Sequence, residues 1–194
     1  MPNKNVARGE ATRAQLIAVA TRMFAAQGYE DTSIEAVLRE AGVSRGSLYH
    51  HFASKEALFE AVLQGVEAAV GERALNATSG ADGPVAALRA GCLEWIRVAG
   101  DPVVQRILLI DAPSVLGWER WRAMGERALG FIREVLQAVA DEGKLRPDLV
   151  EPLAHVVLAA IDEVALLVAQ SADPEAAMRS GSDAIDELLR RLLG

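Results

Sequence analysis

The chain has 194 residues, enough for one sizeable domain or two small ones, and at 51% hydrophobic and 24% charged its composition is that of a globular protein, not a disordered one. The single cysteine, Cys92, excludes an internal disulfide and points to a reducing compartment. The net charge of −7 is unevenly spread: residues 1–55 carry seven Lys/Arg against five Asp/Glu, and residues 56–194 carry thirteen against twenty-two, so an acidic chain keeps its positive balance at one end, where a polyanion can be met.

Apolar runs are broken by charges short of the ~20 residues a membrane span needs. No basic stretch precedes an apolar one at the start, so the expectation is a cytoplasmic protein with no signal peptide and no membrane contact.

Nearly every segment follows the 3.6-residue period, and no alternating strand pattern stands out. A first helix is predicted over 12–27, with Leu16, Ala20, Met23 and Phe24 on one face and Gly28 as its stop. A second is predicted from Thr32, where Thr32 and Glu35 have capping-box spacing, to Gly42. A short third helix occupies 44–52, and Ser54 caps a long fourth one with Leu58, Phe59, Val62, Leu63, Val66 and Val70 on its stripe. "NATSGADGP" (76–84) reads as a linker, with Pro84 placed to open the next helix.

Beyond it, Gly100-Asp101-Pro102 and Ala112-Pro113-Ser114 punctuate the pattern, and Gly143 ends a long helix containing Trp118, Trp121 and Met124. Two final helices cover 149–171 and 174–193. The expectation is an all-α fold of about nine helices.

The stretch "GVSRGSLYHHF" (42–52) has little to bury. Gly42 permits the left-handed backbone that ends one helix, Ser44 caps the next, and Val43, Leu48 and Phe52 suffice to fasten it. Arg45, Gly46, Ser47, Tyr49, His50 and His51 then face outward. Such a helix suits a major groove about 12 Å wide, with free amides at its start for phosphate oxygens. Geometry alone leaves open a plain surface corner, because helix-turn-helix units also occur in proteins that bind no DNA. Adjacent His50 and His51 diverge by ~100° on a helix and make no metal site.

The residues 28–63, through G-V-S-x-G-x-L-Y-x-x-F-x-S-K-E-x-L, closely resemble the DNA-binding domain of the tetracycline-repressor (TetR) family of bacterial transcription regulators. The resemblance covers about 60 residues. It implies a helix-turn-helix head over 9–69 (the unit itself about 33–52) and a helical ligand-binding and dimerisation body over 70–194. It also implies DNA contacts at Thr32, Ser33, Ser44, Arg45, Gly46, Ser47, Tyr49, His50 and Lys55. Of these, Thr32, Ser33, Tyr49 and Lys55 fall where the family meets phosphate, and His50 falls where the family often has an aromatic. His51 is expected to pack or hydrogen-bond within the head.

In the body, Trp118 and Trp121 share a helix face with Arg122 close by, and Trp95, Cys92 and Met124 can join them. They read either as core between long helices or as the wall of an aromatic cavity. Asp111 reads as a cap for the following helix or as a ligand contact. His155 and Asp162, seven apart on one stripe, read as satisfied core or interface groups or as ligand contacts. The helix over 149–171 has almost no polar side, so one interface cannot absorb it. The resemblance implies that it and 174–193 form the homodimer bundle.

The function expected is a DNA-binding regulator, a repressor released from a palindromic double-stranded operator by a small apolar or aromatic effector. The alternative is a helix-turn-helix protein with no small-molecule ligand, controlled by a partner or organising the chromosome. No cofactor or metal is expected. An enzyme is not, because Cys92 has no evident partners and neither G-x-S-x-G nor a Walker or Rossmann glycine pattern occurs.

Overall fold

The computed structural model describes residues 4–193, which are helical with no strand among the described residues. The helices are α1 Lys4–Gln27, α2 Ile34–Ala41, α3 Arg45–His51, α4 Lys55–Thr78, α5 Pro84–Val98, α6 Ala112–Leu116, α7 Trp118–Ala123, α8 Glu126–Asp141, α9 Val150–Gln170 and α10 Pro174–Leu193. A π-helical stretch, Val104–Asp111, runs directly into α6, and a 3-10 turn, Pro147–Leu149, leads into α9.

Contacts group the chain into two units. The first comprises the described residues up to Ala68 together with Pro102–Val115; the second comprises Ala69–Asp101 and the described residues from Leu116. The segment 102–115, which the sequence reading assigned to the body, therefore packs with the head.

In the first unit Leu16, Ala20 and Phe24 of α1, Leu48 of α3, and Leu58 and Phe59 of α4 are fully buried. Phe24, Tyr29 and Phe59 meet edge-on or tilted with ring centroids 5.1–5.8 Å apart. α1 starts two turns earlier than its apolar pattern suggests: Thr12, expected to begin it, instead donates its hydroxyl to Arg8 O within the helix (3.0 Å). The early turns hold Val6 as their only large apolar residue, so no stripe announces them.

The start of α2 also differs. Ser33, not Thr32, is the cap, its hydroxyl accepting from Ala36 N at 3.1 Å. Thr32 is buried and donates its hydroxyl to Gly28 O (2.7 Å).

Gly28 has φ +85°, and a Cβ there would lie 1.7 Å from the Arg106 guanidinium. Arg106 faces Asp111 at 3.3 Å, and Asp111 Oδ2 accepts from Tyr29 N at 2.8 Å. This buried carboxylate fastens the π-helical stretch to the end of α1. The break expected at Ala112–Ser114 is absent. Pro113 lacks an N–H and would collide with a carbonyl one turn back in a regular helix. Ahead of it the backbone has already widened, with Ala112 N donating to Ile107 O five residues back.

In the second unit α5, α8, α9 and α10 share one core, including Leu88, Ile96, Ile132, Leu136, Val157 and Ile185. The helix expected to run unbroken from the tryptophans to Gly143 is two helices, α7 and α8, divided at Met124–Gly125. α9 packs on three neighbours and buries Val150, Ala154, Val157, Ile161, Ala165, Val168 and Ala169. Even so it leaves Val156 53% and Leu167 58% exposed.

Candidate nucleic-acid interface

α2 and α3 are joined by Gly42 at φ 64°, whose N–H caps the end of α2 on Arg39 O and Leu38 O. Ser44 caps α3, its hydroxyl accepting from Ser47 N at 3.2 Å. Leu48 is the one buried residue of α3, and Phe52 closes the helix from below. Arg45, Gly46, Tyr49 and His50 are exposed, and Ser47 is half-buried.

A Cβ built on Gly46 would meet nothing within 4 Å. Glycine in a helix costs ~1 kcal/mol relative to alanine, and no packing inside the chain requires it here. The space it leaves serves something outside the chain.

Three of the cationic or phenolic groups are already placed. Arg45 Nη2 pairs with Glu35 Oε1 at 2.6 Å, with its guanidinium 5.9 Å from the centre of the Tyr49 ring. Both members are about two-thirds exposed, so the pair adds only ~0–1 kcal/mol of stability. Lys55 lies over the Tyr29 ring, Nζ 4.2 Å from its centre, and donates to Glu30 O at 3.3 Å. His50 and His51 stack edge-on at 5.1 Å, and with Val6, Gly9, Glu10 and Arg13 they line a cleft of about 380 Å³ against the early turns of α1. His51 packs within the head, as expected.

Of the predicted contact residues, Ser33, Ser44, Arg45, Gly46, Ser47, Tyr49, His50 and Lys55 lie on α2, α3 and their flanks, open or partly open to solvent. Thr32 is the correction. It is 1% exposed, and both its N–H and its hydroxyl are used internally, on Tyr29 O and Gly28 O. The sequence reading missed Glu35 as the partner of Arg45, and Arg13, which lies over the Phe52 ring at 5.3 Å. Glu35 was visible only as half of a capping box.

The comparisons with known proteins agree with this head. Residues 16–62 match the family described as bacterial regulatory proteins, tetR family, and residues 85–192 match the tetracyclin repressor-like C-terminal domain. The chain belongs to the TetR family of transcriptional regulators. It is similar to a TetR-family regulator of known structure from Pectobacterium atrosepticum, at 31% identity over 96% of both chains with a TM-score of 0.79. The curated regulator SrpR of Pseudomonas putida is 29% identical over 75% of this chain and 68% of its own length, and the repressor AcnR of Corynebacterium efficiens is 28% identical over 76% of each. Other relatives match through the head alone, such as AcrR of Shigella flexneri, of which this chain spans 35% at 36% identity. TetR-family proteins are DNA-binding transcriptional regulators, not enzymes, and the short, outward-facing α3 is the TetR recognition helix.

The body of this TetR-family chain places its candidate residues less simply. Trp118 and Trp121 stack at 5.1 Å, but α7 buries none of its residues and Trp118 is 61% exposed. They are neither the packed core nor the enclosed wall expected. Asp111 lies in the first unit as the fastener described above; its carboxylate neither caps α6 nor opens to a ligand. His155 stands on the exposed side of α9, its Nε2 3.2 Å from Glu151 Oε1. Asp162, expected to share its surroundings, turns inward and accepts from Trp95 Nε1 at 3.1 Å. Cys92 is buried, which pushes its thiol up to about 12 and leaves it protonated.

Burial raises the Asp162 carboxyl to about 6, against the lowering effects of the Trp95 hydrogen bond and the nearby Arg122 charge. A carboxyl raised in the folded state is protonated more readily there than in the unfolded chain. Its contribution is therefore present below the ordinary carboxylate range and is lost as pH rises from about 4 to about 6. Asp162→Asn keeps an acceptor for Trp95 without the charge. Denaturation curves at pH 4.5 and 7.5 are expected to show the variant ~1–3 kcal/mol more stable than the parent at the higher pH and about equal at the lower. An equal gain at both values would mean that Asp162 does not titrate in this window.

Proposed function

We propose that this regulator is a cytoplasmic homodimeric repressor that holds a palindromic double-stranded operator and lets it go when a small apolar or aromatic effector enters the 70–194 body. The reading assigns DNA contact to 9–69, through Ser33, Ser44, Arg45, Gly46, Ser47, Tyr49, His50 and Lys55. It assigns subunit contact to α9 and α10. The observation that carries it is the outward face of α3, where a glycine with open space around it is flanked by Arg45, Ser47, Tyr49 and His50. Such a face costs the helix stability and gains only if a polyanion with a readable groove is laid against it.

Pro147–Gln170, which contains α9, is long and apolar enough by length and composition to cross a membrane, with a mean hydropathy of 1.9 over its most apolar window. A second copy covering Val156 and Leu167 accounts for that composition without a bilayer.

The test is affinity of alanine variants for an operator obtained by selection from random duplexes. Arg45→Ala is expected to cost ~1–3 kcal/mol if it reads a base edge. Lys55→Ala is expected to weaken binding to all sequences alike and to lower the salt slope by about one. Tyr49→Ala should act as Lys55→Ala does. Full operator affinity in all three variants would end the assignment.

The exposure of Trp118 favours a second reading, in which the protein binds DNA but senses no small molecule. A ligand that quenches tryptophan fluorescence and binds equally well with and without operator would select it, because coupling between two sites is reciprocal.

A further inference from the structure

Resting on the reading that Arg45 meets DNA, we propose that Glu35 is a positioning residue for DNA sequence readout, holding the Arg45 guanidinium for a guanine edge and away from phosphates. The two residues belong to different helices of the head, ten positions apart, and their contact crosses the turn at Gly42. Glu35 Oε1 takes one N–H of Arg45 Nη2 at 2.6 Å. Arginine has five such donors in a planar fork, so the fork keeps free donors with which to meet the two acceptors, O6 and N7, that guanine shows in the major groove.

The Tyr49 ring, with its centre 5.9 Å from the guanidinium carbon, supplies a second restraint. A flexible side chain is thereby tethered by a carboxylate at one edge and an aromatic ring beside it. Preorganisation of this kind reduces the ordering cost of binding.

The pair is poorly explained as a stabilising device. Both side chains are about two-thirds exposed, where an ion pair contributes little. It is also placed where a negative charge is costly for plain affinity. Glu35 stands two residues after Ser33, the cap of α2, on the side offered to a polyanion. A carboxylate there repels phosphates, and it repels them equally on every sequence. Its cost to general affinity is a gain in discrimination: an arginine shielded from phosphate is left for the base that only the right sequence presents.

The experiment uses the full-length protein and compares wild type with Glu35→Gln, Arg45→Ala and the double variant. Each is used to select duplexes from a random library, and each is titrated with its best duplex and a scrambled one across a salt series. Melting temperatures serve as a fold control. Wild type is expected to demand guanine at one position of each half-site. Glu35→Gln, which removes the charge at nearly constant shape, should bind scrambled DNA more tightly with a slope about one unit steeper. Its preference for that guanine should fall about ten-fold while the other positions stay unchanged. Arg45→Ala should lose preference at the same position, and the double variant should lose no more.

Undiminished guanine preference in Glu35→Gln, alongside its loss in Arg45→Ala, overturns the role of Glu35 and leaves the DNA-binding reading intact. Unchanged preference at every position in Arg45→Ala overturns the underlying assignment of Arg45 to a base. A loss in Glu35→Gln spread evenly over all positions, or accompanied by a fallen melting temperature, assigns Glu35 to the fold and also overturns the proposal.

Discussion

Leu167→Glu is expected to convert the protein to monomers in sedimentation or light scattering at micromolar concentration, and to weaken operator binding by about 100-fold or more, because two tethered heads gain ~10²–10⁴ over one. Leu167 is 58% exposed on α9 and Val156 53%, so a charge at Leu167 touches no core of its own chain. The melting curve of the subunit should consequently change little beyond what dissociation itself contributes. Leu189, which the apolar pattern of the last helix offers as an equivalent position, is not one: it is 3% exposed within the core formed by α5, α8, α9 and α10. A charge there would unfold the subunit and say nothing about its partner. Leu167→Glu remaining a dimer would move the subunit contact away from this face of α9.

Asp111→Ala is expected to destabilise the first unit by ~2–4 kcal/mol in chemical denaturation, since it strands the Tyr29 N–H and deprives Arg106 of its counter-ion in a largely buried setting. The carboxylate is 6% exposed, accepts from Tyr29 N at 2.8 Å and faces Arg106 at 3.3 Å. Asp111→Asn retains an oxygen for Tyr29 while losing the charge, and its loss should fall between that of alanine and none. Alanine behaving like wild type would mean that water replaces both partners at no cost, and that the 102–115 segment is held by its apolar contacts alone.

Some of this architecture was legible in the residues and some was not, for identifiable reasons. Gly28, Gly42, Ser44, Ser54 and Asp173 each act within four positions of themselves, and each stands where its local chemistry puts it. Gly42 has φ 64°, and the Ser44, Ser54 and Asp173 side chains accept from backbone N–H groups three residues ahead. Thr32 and Ser33 show where local reasoning reaches its limit. Both can cap a helix, and the choice was made by the free carbonyl of Gly28, which draws Thr32 inward and leaves the cap to its neighbour.

Asp111 was read as a cap or a ligand contact because its partner, Tyr29, lies 82 positions away, and periodicity carries no information at that range. The exterior placement of Trp118 was equally unannounced. Large aromatics are usually core, and the sequence has no way to say that α7 would be cut from α8 at Gly125 and left without a buried residue. The ion pair of Glu35 with Arg45 spans two helices whose separate patterns were both visible, but whose meeting depends on the turn between them.

The wide-turned stretch Val104–Asp111 has one further consequence, for length. Turns closed five residues back hold more residues per revolution than turns closed four back. The chain can therefore gain or lose a residue here by switching turn width, keeping its direction while changing phase. Asp111 sits at the very end of the stretch, so its angular position around the axis is the accumulated total of those turns. Removing one residue would let the backbone relax to the ordinary width, yet it would aim that carboxylate elsewhere, because ~100° of rotation accompanies each α-helical step. The stretch is in effect a vernier, and its present setting is the one at which Asp111 reaches Tyr29 and Arg106 together.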